Sequence, residues 1–324
     1  MELVCKLWGF YNMKKVNVLL SSYNGGIYIT EQIESILKQT YKNIDVYIHD
    51  DGSSDNTMVN IKQYLNYNDN GIKVIYMDLP TGLKYPSCFI DMLVNCEKAD
   101  YYAFSDQDDV WLPEKIERAV EELEKVSPKK PSLYYTSVKY CDSELNYVRN
   151  SRFANNGQGV EIMTLQKMLL GGEAMGMTFC FNNKVRNELI RSKNVTNQFK
   201  DIFIKIYCAS CGTVIYDSKP SALYRRHENA VTNNTNPCGR LNRYYSAAKE
   251  VFFDIDSKKH IREILQYIKS ECLCDVFVQN RKLIEIFSSV SFVNQFKKLF
   301  WPKRYRKYII DELGYRLAIL LWKL

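Results

Sequence analysis

The sequence predicts an α/β fold in which helices flank a mostly parallel central sheet, with a helical extension at the C-terminal end. Short apolar runs rich in β-branched residues alternate with segments of helical periodicity between residues 16 and 126. Several of these runs end in polar turns of Ser, Asn, Asp and Gly. With 46% hydrophobic and 25% charged residues, the 324-residue chain has the composition of a folded protein with a large core.

The elements follow in order along the chain. The run VNVLL at 16–20 is typical of a buried parallel strand, and the apolar residues at 29, 33, 36 and 37 share one face of a helix. The same criteria predict strands at 44–49, 72–77 and 101–104, and helices at 53–65, 88–96 and 113–126, with a cap from Ser53, Ser54 or Asp55 and with Pro113 in a first turn.

After Pro131 the pattern changes. Strands are predicted at 134–140, 175–182, 213–216 and 222–226, and helices at 201–208, 262–289 and 292–324, the last broken at Pro302. The linker signal NNTNPCG at 233–239 separates a main domain at 14–232 from a basic, aromatic helical region at 238–324. Residues 1–13 are predicted to be a leader or loose extension, with Met13 as the alternative start.

Positive charge is concentrated in the last quarter of the chain. Residues 237–324 hold 17 Lys and Arg against 9 Asp and Glu, whereas the rest holds 27 against 28. This asymmetry predicts contact with an anionic surface, either a membrane or a nucleic acid. No apolar run is long enough to predict a transmembrane helix.

The ten cysteines do not form a recognisable metal or disulfide pattern. Cys208-x-x-Cys211 and Cys272-x-Cys274 have no partner pairs at zinc-finger spacing, and no secretory signal precedes them. We therefore predict reduced, mostly buried thiols in a cytoplasmic protein.

Polar clusters follow three of the predicted strands. They are SSYN at 21–24, DDGS at 50–53 and DQDD at 106–109. Ligands of doubly wound sheets bind beyond the carboxyl ends of the strands. Acids crowded at one such edge repel each other and need a divalent cation or a ligand's N–H groups to compensate them.

The ordered motifs identify a family resemblance. SSYNGG at 21–26, ILKQTY at 36–41, DDGSSDNT at 50–57 and SDQDDVWLPEK at 105–115 resemble the family 2 inverting glycosyltransferases of the GT-A fold, in their rhamnosyltransferase-like branch. The resemblance covers about residues 14–232. It implies a GT-A nucleotide-diphospho-sugar transferase fold, a dTDP- or UDP-linked donor, with rhamnose as the first expectation, and Mn²⁺ or Mg²⁺ as cofactor.

The resemblance also implies roles for individual residues at the donor site. Asp106 and Asp108 would hold the metal with His227, while Gln107 and Asp109 would lie beside the sugar or orient the loop. Asp51 would accept the imino N–H of the base next to Ser21. Weaker candidates for donor contacts are Asp50, as a ribose or structural group, Tyr23, as a stacking or core residue, Lys84, Gly172 under the sugar, and Arg226 as a phosphate clamp.

For the general base the resemblance points to Asp201. The branch usually places this acid after His at the start of a helix, whereas this chain has Lys200 in that position. A plain helix N-cap is the alternative role of Asp201, and Glu173 and Asp217 are the reserve candidates.

The predicted partners follow from the same resemblance. The acceptor is expected to be a saccharide or a lipid-linked saccharide of cell-surface polysaccharide synthesis, with the basic segment at 297–307 on the inner face of the plasma membrane. The alternative function is a non-catalytic nucleotide-sugar-binding or scaffold protein. A nucleic-acid-binding protein has no use for three polar strand ends, and a dinucleotide dehydrogenase would need G-x-G-x-x-G after the first strand.

Overall fold

The computed structural model describes residues 13–151, 159–169, 174–227, 255–289, 291–300 and 316. The predicted leader, the linker near 233–239, Gly172, Glu173 and the basic residues after 300 lie outside these ranges. The chain divides into two compact units. Unit 1 comprises Met1–Ile162, Glu173–Ile204 and Thr213–His227, and unit 2 comprises Met163–Gly172, Lys205–Gly212 and Glu228–Leu324.

The strands of unit 1 are numbered along the chain. They are β1 (Val16–Ser22), β2 (Ile44–Asp50), β3 (Asn68–Asp69), β4 (Ile72–Tyr76), β5 (Tyr101–Ser105), β6 (Val110–Trp111), β7 (Ser132–Thr136), β8 (Lys139–Cys141), β9 (Tyr147–Asn150), β10 (Val160–Ile162), β11 (Cys180–Asn182), β12 (Thr213–Asp217) and β13 (Ala222–Arg225). Within the described residues, nine of them form one sheet in the order β10-β12-β7-β11-β5-β1-β2-β4-β3.

The centre of this sheet is parallel, as predicted. β1 pairs in parallel with β2 and β5, and β4 extends the same direction, while β3, β10 and β11 run antiparallel. The apolar side chains of β1 and β2 are buried on both faces of the sheet, as expected of central parallel strands. Ser22 is in register with Asp50, and Leu20 with Ser105, so the polar turns after these strands meet at one edge.

The helices are α1 (Ile29–Leu37), α2 (Thr57–Lys62), α3 (Ser87–Asn95), α4 (Lys115–Leu123), α5 (Leu165–Leu169), α6 (Asn183–Arg191), α7 (Lys193–Cys211), α8 (Ile255–Glu271), α9 (Val278–Ser288) and α10 (Phe292–Phe300). In α1 the buried residues Ile29, Ile33 and Ile36 repeat at helical spacing and join the core cluster of the sheet. The helices α1 to α4 thus agree with the predicted alternation.

A smaller sheet lies after the parallel half. Its order is β6-β13-β8-β9, and β6 directly follows the DQDD motif. The predicted strand at 134–140 is two strands in different sheets, β7 and β8, because the chain leaves the main sheet between them. The predicted strand at 175–182 begins as a 3-10 turn at Gly176–Thr178 and becomes β11 only at Cys180.

The prediction that Asp201 begins or caps a helix is wrong. α7 is continuous from Lys193 to Cys211, so Asp201 lies in its interior. The helix starts directly after Ser192, which ends α6, and residues 193–200 carry no Gly or Pro that would delay it. The role of Asp201 therefore has to come from its side-chain contacts.

The described part of unit 2 is helical. α8 and α9 bury Ile264, Leu265, Ile268, Leu283 and Ile284, and the predicted helix at 262–289 is interrupted between Glu271 and Val278. Asn280 donates hydrogen bonds to the carbonyls of Ala209 and Ser210 at 2.9 and 3.2 Å, which joins α9 to the end of α7. A search of the described residues finds no helix with both the length and the apolar character to cross a bilayer.

The eight cysteines within the described ranges are free thiols, and all but Cys274 are buried. Burial raises the pKa of Cys180 to about 12 and that of Cys208 well above its usual value. These thiols are therefore packing groups and not reactive ones.

Candidate active site

Two polar turns interlock at the carboxyl edge of the main sheet. Asn24 receives a hydrogen bond on its side-chain oxygen from the backbone N–H of Ser54 at 2.9 Å, and its own N–H donates to the Ser53 hydroxyl at 2.8 Å. Asp50 accepts from Ser22 Oγ at 2.9 Å and from the N–H and hydroxyl of Ser53 at 2.8 and 2.6 Å. The carboxylate of Asp50 thus acts as the anchor of its own turn.

Asp51 holds the loop that carries Lys84. Its two carboxylate oxygens accept hydrogen bonds from the backbone N–H groups of Leu83 and Lys84, each at 2.8 Å. The Nε2 atom of buried His49 lies 3.6 Å from Asp51 Oδ1. Each oxygen keeps a second lone pair, so Asp51 can still accept an N–H from a ligand. The side chain of Lys84 itself is exposed.

Gln107 joins the DQDD loop to the first turn. Its side-chain amide pairs with the main chain of Tyr23, accepting from N–H at 2.8 Å and donating to the carbonyl at 2.9 Å. A Cβ atom on Gly25 would lie only 2.1 Å from Gln107 Oε1, so a larger residue at position 25 would displace the Gln107 amide from its contact with Tyr23. The Tyr23 side chain remains 58% exposed beside this junction, which does not support the core alternative for it.

Three carboxylates crowd the loop after β5. Burial and then the charge of Asp108 raise the pKa of Asp106 to about 7, against the opposing effect of Lys200. Burial, Asp108 and Asp106 raise the pKa of Asp109 well above its usual range. Asp109 Oδ2 is buried and has no hydrogen-bond partner among the described residues. The loop therefore concentrates negative charge that only partly finds compensation in the protein.

His227 lies directly beside this loop. Its Nε2 atom is 2.9 Å from Asp108 Oδ2, and its ring packs on Tyr28 with 4.7 Å between centroids. The structure thus places His227 against Asp108, two of the three residues predicted for the metal.

Arg225, and not the predicted Arg226, reaches into the acidic loop. The Arg225 side chain is buried, its Nε donates to the Asp108 carbonyl at 2.9 Å, and its guanidinium pairs with Glu31 over the ring of Tyr28. The guanidinium of Arg226 instead packs against Tyr140, 5.0 Å from the ring centroid. The two neighbours contact different partners where β13 ends, and strand alternation predicts that they point to opposite sides but not which of them meets the loop.

Asp201 faces the same region from α7. Its Oδ2 accepts a hydrogen bond from the backbone N–H of Gly176 at 2.9 Å. Its Oδ1 has no hydrogen-bond partner among the described residues, and the Lys200 ammonium lies 3.6 Å away. The charge of Asp201 contributes to the raised pKa values of both Asp106 and Tyr85, after the larger effect of burial in each case. The Asp201 side chain is 24% exposed, and its Oδ1 atom is buried next to the Lys200 ammonium.

The reserve candidate Asp217 is a structural group. It accepts a hydrogen bond from Tyr134 at 2.7 Å and forms a buried ion pair with Arg118. Its oxygens are committed to partners inside the fold, which excludes it as a free base. Glu173 and Gly172 lie outside the described residues.

Ser21 and Lys200 both act on the buried thiol of Cys88. Ser21 Oγ donates to the sulfur of buried Cys88 at 3.3 Å. Burial raises the pKa of Cys88, and the Ser21 hydrogen bond and the charge of Lys200 oppose that rise. Sequence reasoning noticed Lys200 only as a departure from a motif and missed Arg225, Tyr85 and Glu31.

The acidic loop suits a hard divalent cation. Within the described ranges no group of three or more His, Cys, Asp and Glu side chains is arranged as a metal site. Mg²⁺ is, however, commonly bound by one or two carboxylates together with substrate phosphates. The uncompensated carboxylates of Asp106 and Asp108, with His227 next to them, match that mode of binding.

Comparisons with known proteins agree with this geometry. A profile described as "Glycosyl transferase family 2" matches residues 17–189. The chain is 28% identical over 223 residues to the dTDP-rhamnosyl transferase RfbG of Shigella flexneri, covering 65% of this chain and 72% of that protein. It is 36% identical over 117 residues to an uncharacterized glycosyltransferase of Haemophilus influenzae, covering 35% of this chain and only 34% of the relative.

The fold also matches solved structures. Crystal structures of S. aureus TarS superpose with TM-scores of 0.53 for one chain and 0.51 for residues 1–349 in complex with UDP-GlcNAc. The identities are 16% and 17%, and the matches cover 94% of this chain and 55% and 90% of the TarS chains. At such identities the likeness concerns the fold alone, and it confirms the predicted GT-A α/β fold with C-terminal helices.

Proposed function

The chain belongs to glycosyl transferase family 2, and on that premise we propose that it is an inverting transferase with Asp201 as its general base. One observation carries the proposal: Asp201 presents a carboxylate whose side chain is 24% exposed, in the same site as the acidic loop. A general base needs a carboxylate within hydrogen-bond reach of the acceptor hydroxyl. The alternative is a non-catalytic nucleotide-sugar-binding or scaffold protein of this fold.

The proposed reaction is a single displacement. The acceptor hydroxyl passes its proton to the Asp201 carboxylate while its oxygen forms a bond to the anomeric carbon of the donor sugar. The bond between that carbon and the diphosphate breaks, and the diphosphate leaves with the electron pair. The backbone N–H of Gly176 donates to Asp201 Oδ2 at 2.9 Å, so the base keeps a fixed orientation during this step.

The donor is proposed to lie along the interlocked turns and the acidic loop. Asp51 would accept the imino N–H of the base, with Ser21 and Tyr23 beside it. Asp106, Asp108 and His227 would hold Mn²⁺ or Mg²⁺, which as a Lewis acid would neutralise the diphosphate. Arg225 and Gln107 keep the loop in place through their contacts with Asp108 and Tyr23.

We propose dTDP-rhamnose as the first donor to test and UDP-linked sugars as the second. The S. flexneri relative is a dTDP-rhamnosyl transferase, and a TarS structure contains UDP-GlcNAc. Thymine and uracil share the imino N–H that Asp51 would recognise, so this contact does not separate the two nucleotides. The proposed acceptor is a saccharide or lipid-linked saccharide.

A membrane contact through α10 is part of the proposal. Val293, Phe296 and Phe300 are exposed, and Lys297 is exposed between them. Aromatic and basic side chains on one helix bind anionic lipid interfaces. We therefore propose a position at the inner face of the plasma membrane, where a lipid-linked acceptor would be reached.

The test begins with a thermal-shift screen of dTDP- and UDP-sugars in the presence of Mn²⁺. A donor at about 100 times its Kd should raise the free energy of unfolding by about 2.7 kcal/mol. Asp201→Asn should retain this shift and lose nucleotide release by at least about a hundredfold, in the range of a missing general base. Full turnover of the variant would show that another group is the base. Donor binding without turnover in the wild-type protein would favour the non-catalytic alternative.

A further inference from the structure

The buried ammonium of Lys200 is an unusual feature of the site. Lys200 is 1% exposed, and its Nζ atom lies 3.6 Å from the ring centroid of Phe89, 3.7 Å from that of Phe104 and 5.1 Å from that of Tyr85. The rings come from α3, β5 and the loop before α3. Asp201 Oδ1 lies 3.6 Å from the same nitrogen. The cage thus holds a cation against the proposed base.

The stability of the fold does not explain why a charged side chain occupies this cage. Burying an ammonium removes its hydration, and aromatic rings and one carboxylate replace that hydration only in part. Replacement of buried ion pairs by apolar side chains of similar size is often neutral or stabilising. An apolar side chain of the same length would fill the space between Phe89 and Phe104. A charge kept there points to a role in the chemistry.

The charges around Asp201 identify that role. Asp106 lies in the loop after β5, and the charge of Asp201 adds to the rise in the pKa of Asp106 that burial and Asp108 cause. The Tyr85 hydroxyl, also next to Asp201, has its pKa raised mainly by burial and then by Asp201, so it stays neutral. Lys200 is the adjacent cation on α7 itself, and it acts on Asp106 and on Cys88 of α3 as well.

We propose that Lys200 is a positioning residue for the general base, whose caged ammonium fixes Asp201 Oδ1 and keeps that carboxylate ionised beside the acidic loop. The inference rests on the proposed function of Asp201. An opposite charge within about 4–6 Å favours the ionised form of a carboxylate. Removal of the ammonium should therefore raise the pH at which Asp201 becomes a working base.

The test compares Lys200→Met with Lys200→Arg in the full chain. Methionine is neutral and fits an aromatic cage, whereas arginine keeps the charge. The measurement is the rate of nucleotide release as a function of pH. Water is the acceptor, and the donor is the one that the thermal-shift screen identifies. For Lys200→Met we expect unchanged donor binding, an equal or higher Tm, and a loss of about tenfold at pH 7, with the acidic limb moved up by about one pH unit. In Lys200→Arg the acidic limb of the pH–rate profile should stay at its wild-type pH.

A second measurement does not depend on turnover. The carboxyl carbon of Asp201, labelled with ¹³C in aspartate and assigned by its loss in Asp201→Asn, is titrated by NMR. Its pKa should rise in Lys200→Met, and Lys200→Gln serves as the neutral variant if the methionine protein does not fold. An unmoved pKa, or a pH profile that superposes on the wild-type one, overturns the inference. If Asp201→Asn is inactive and Lys200→Met behaves like wild type, only this inference fails, whereas an active Asp201→Asn protein refutes the proposed function itself.

Discussion

At the scale of single residues, the carboxylate of Asp106 shows a conflict between folding and function. Burial and Asp108 raise its pKa to about 7, so without a bound cation the protonated acid is favoured below that pH. A bound cation and diphosphate would favour the anion. Ionisation of Asp106 therefore costs free energy in the folded protein, and ligand binding would remove that cost.

This conflict predicts that Asp106→Asn stabilises the metal-free protein at neutral and alkaline pH. The native pKa lies above the unfolded value of 3.8, so stability from this group is present at low pH and is lost as pH rises through about 7. Because Asp106 is partly exposed, we expect a gain of about 1–2 kcal/mol at pH 8, below the roughly 4 kcal/mol that the whole shift would give. Urea unfolding in EDTA at pH 5 and pH 8 measures the difference.

Asp55→Asn is the matched control for this measurement. The pKa of Asp55 is lowered, since Thr57 and the N–H of Gly26 donate hydrogen bonds to it and outweigh its slight burial. Its stabilising contribution is present above the unfolded pKa and is lost at acidic pH, so this variant should be less stable at pH 8. A loss of stability in Asp106→Asn at pH 8 would contradict the prediction.

At the scale of elements, the 3-10 turn at Gly176–Thr178 sets the position of the proposed base. A Cβ atom on Gly176 would lie 2.5 and 2.6 Å from the two carboxylate oxygens of Asp201. Gly176→Ala must therefore displace the end of that side chain. The backbone need not move, because the colliding group is a side-chain terminus.

We expect Gly176→Ala to retain the fold and donor binding and to lose at least about tenfold in turnover, the range in which a displaced catalytic group acts. Gly159→Ala is the control, since a Cβ there meets nothing within 4 Å. Circular dichroism and the donor thermal shift report the fold, and nucleotide release reports the chemistry. Equal turnover in the two alanine variants would mean that the Gly176 contact does not orient the base.

The parallel half of the main sheet was predictable because its signals are local. β1, β2, β4 and β5 are short, mostly apolar runs, and the polar turns after β1, β2 and β5 follow directly in sequence. The antiparallel half of the sheet could not be predicted, because β10 and β11 are three residues long and pair with strands that are distant in sequence. The split of 134–140 into β7 and β8 likewise reflects the sheets that the two pieces join.

The candidate site likewise contains residues whose position could be predicted from the sequence and residues whose position could not. Asp106, Asp108 and Asp51 follow strands, so their place at the sheet edge could be inferred from order alone. The contact of Lys200 with Phe104 and that of Arg225 with the Asp108 carbonyl could not be inferred in this way. In each case the two residues lie more than 95 positions apart in the sequence. Sequence order gives no information about which distant ring or carbonyl a long side chain meets.

At the scale of the whole molecule, the charge asymmetry is the feature that the donor site does not explain. The last quarter of the chain carries the positive excess, and α10 is the described segment that combines it with exposed aromatic residues. Phe296 and Phe300 pack together with 5.1 Å between ring centroids, although Phe300 is 66% exposed. Lys298 on the same helix is buried near Phe287, so the exposed surface is formed by Phe296, Lys297 and Phe300.

This surface predicts salt-sensitive binding to anionic vesicles. The full chain should sediment with vesicles containing phosphatidylglycerol at about 50 mM salt and much less at about 500 mM, because salt screens the attraction of basic residues to the surface. The double variant Phe296→Ser with Phe300→Ser should bind at least about fivefold more weakly, since it removes the apolar part of the contact. Val278→Ser in α9 is the control, because Val278 is equally apolar and 80% exposed but is not part of this surface. Equal sedimentation with neutral phosphatidylcholine vesicles, or equal binding of the double variant and the control, would mean that α10 is an ordinary solvated helix.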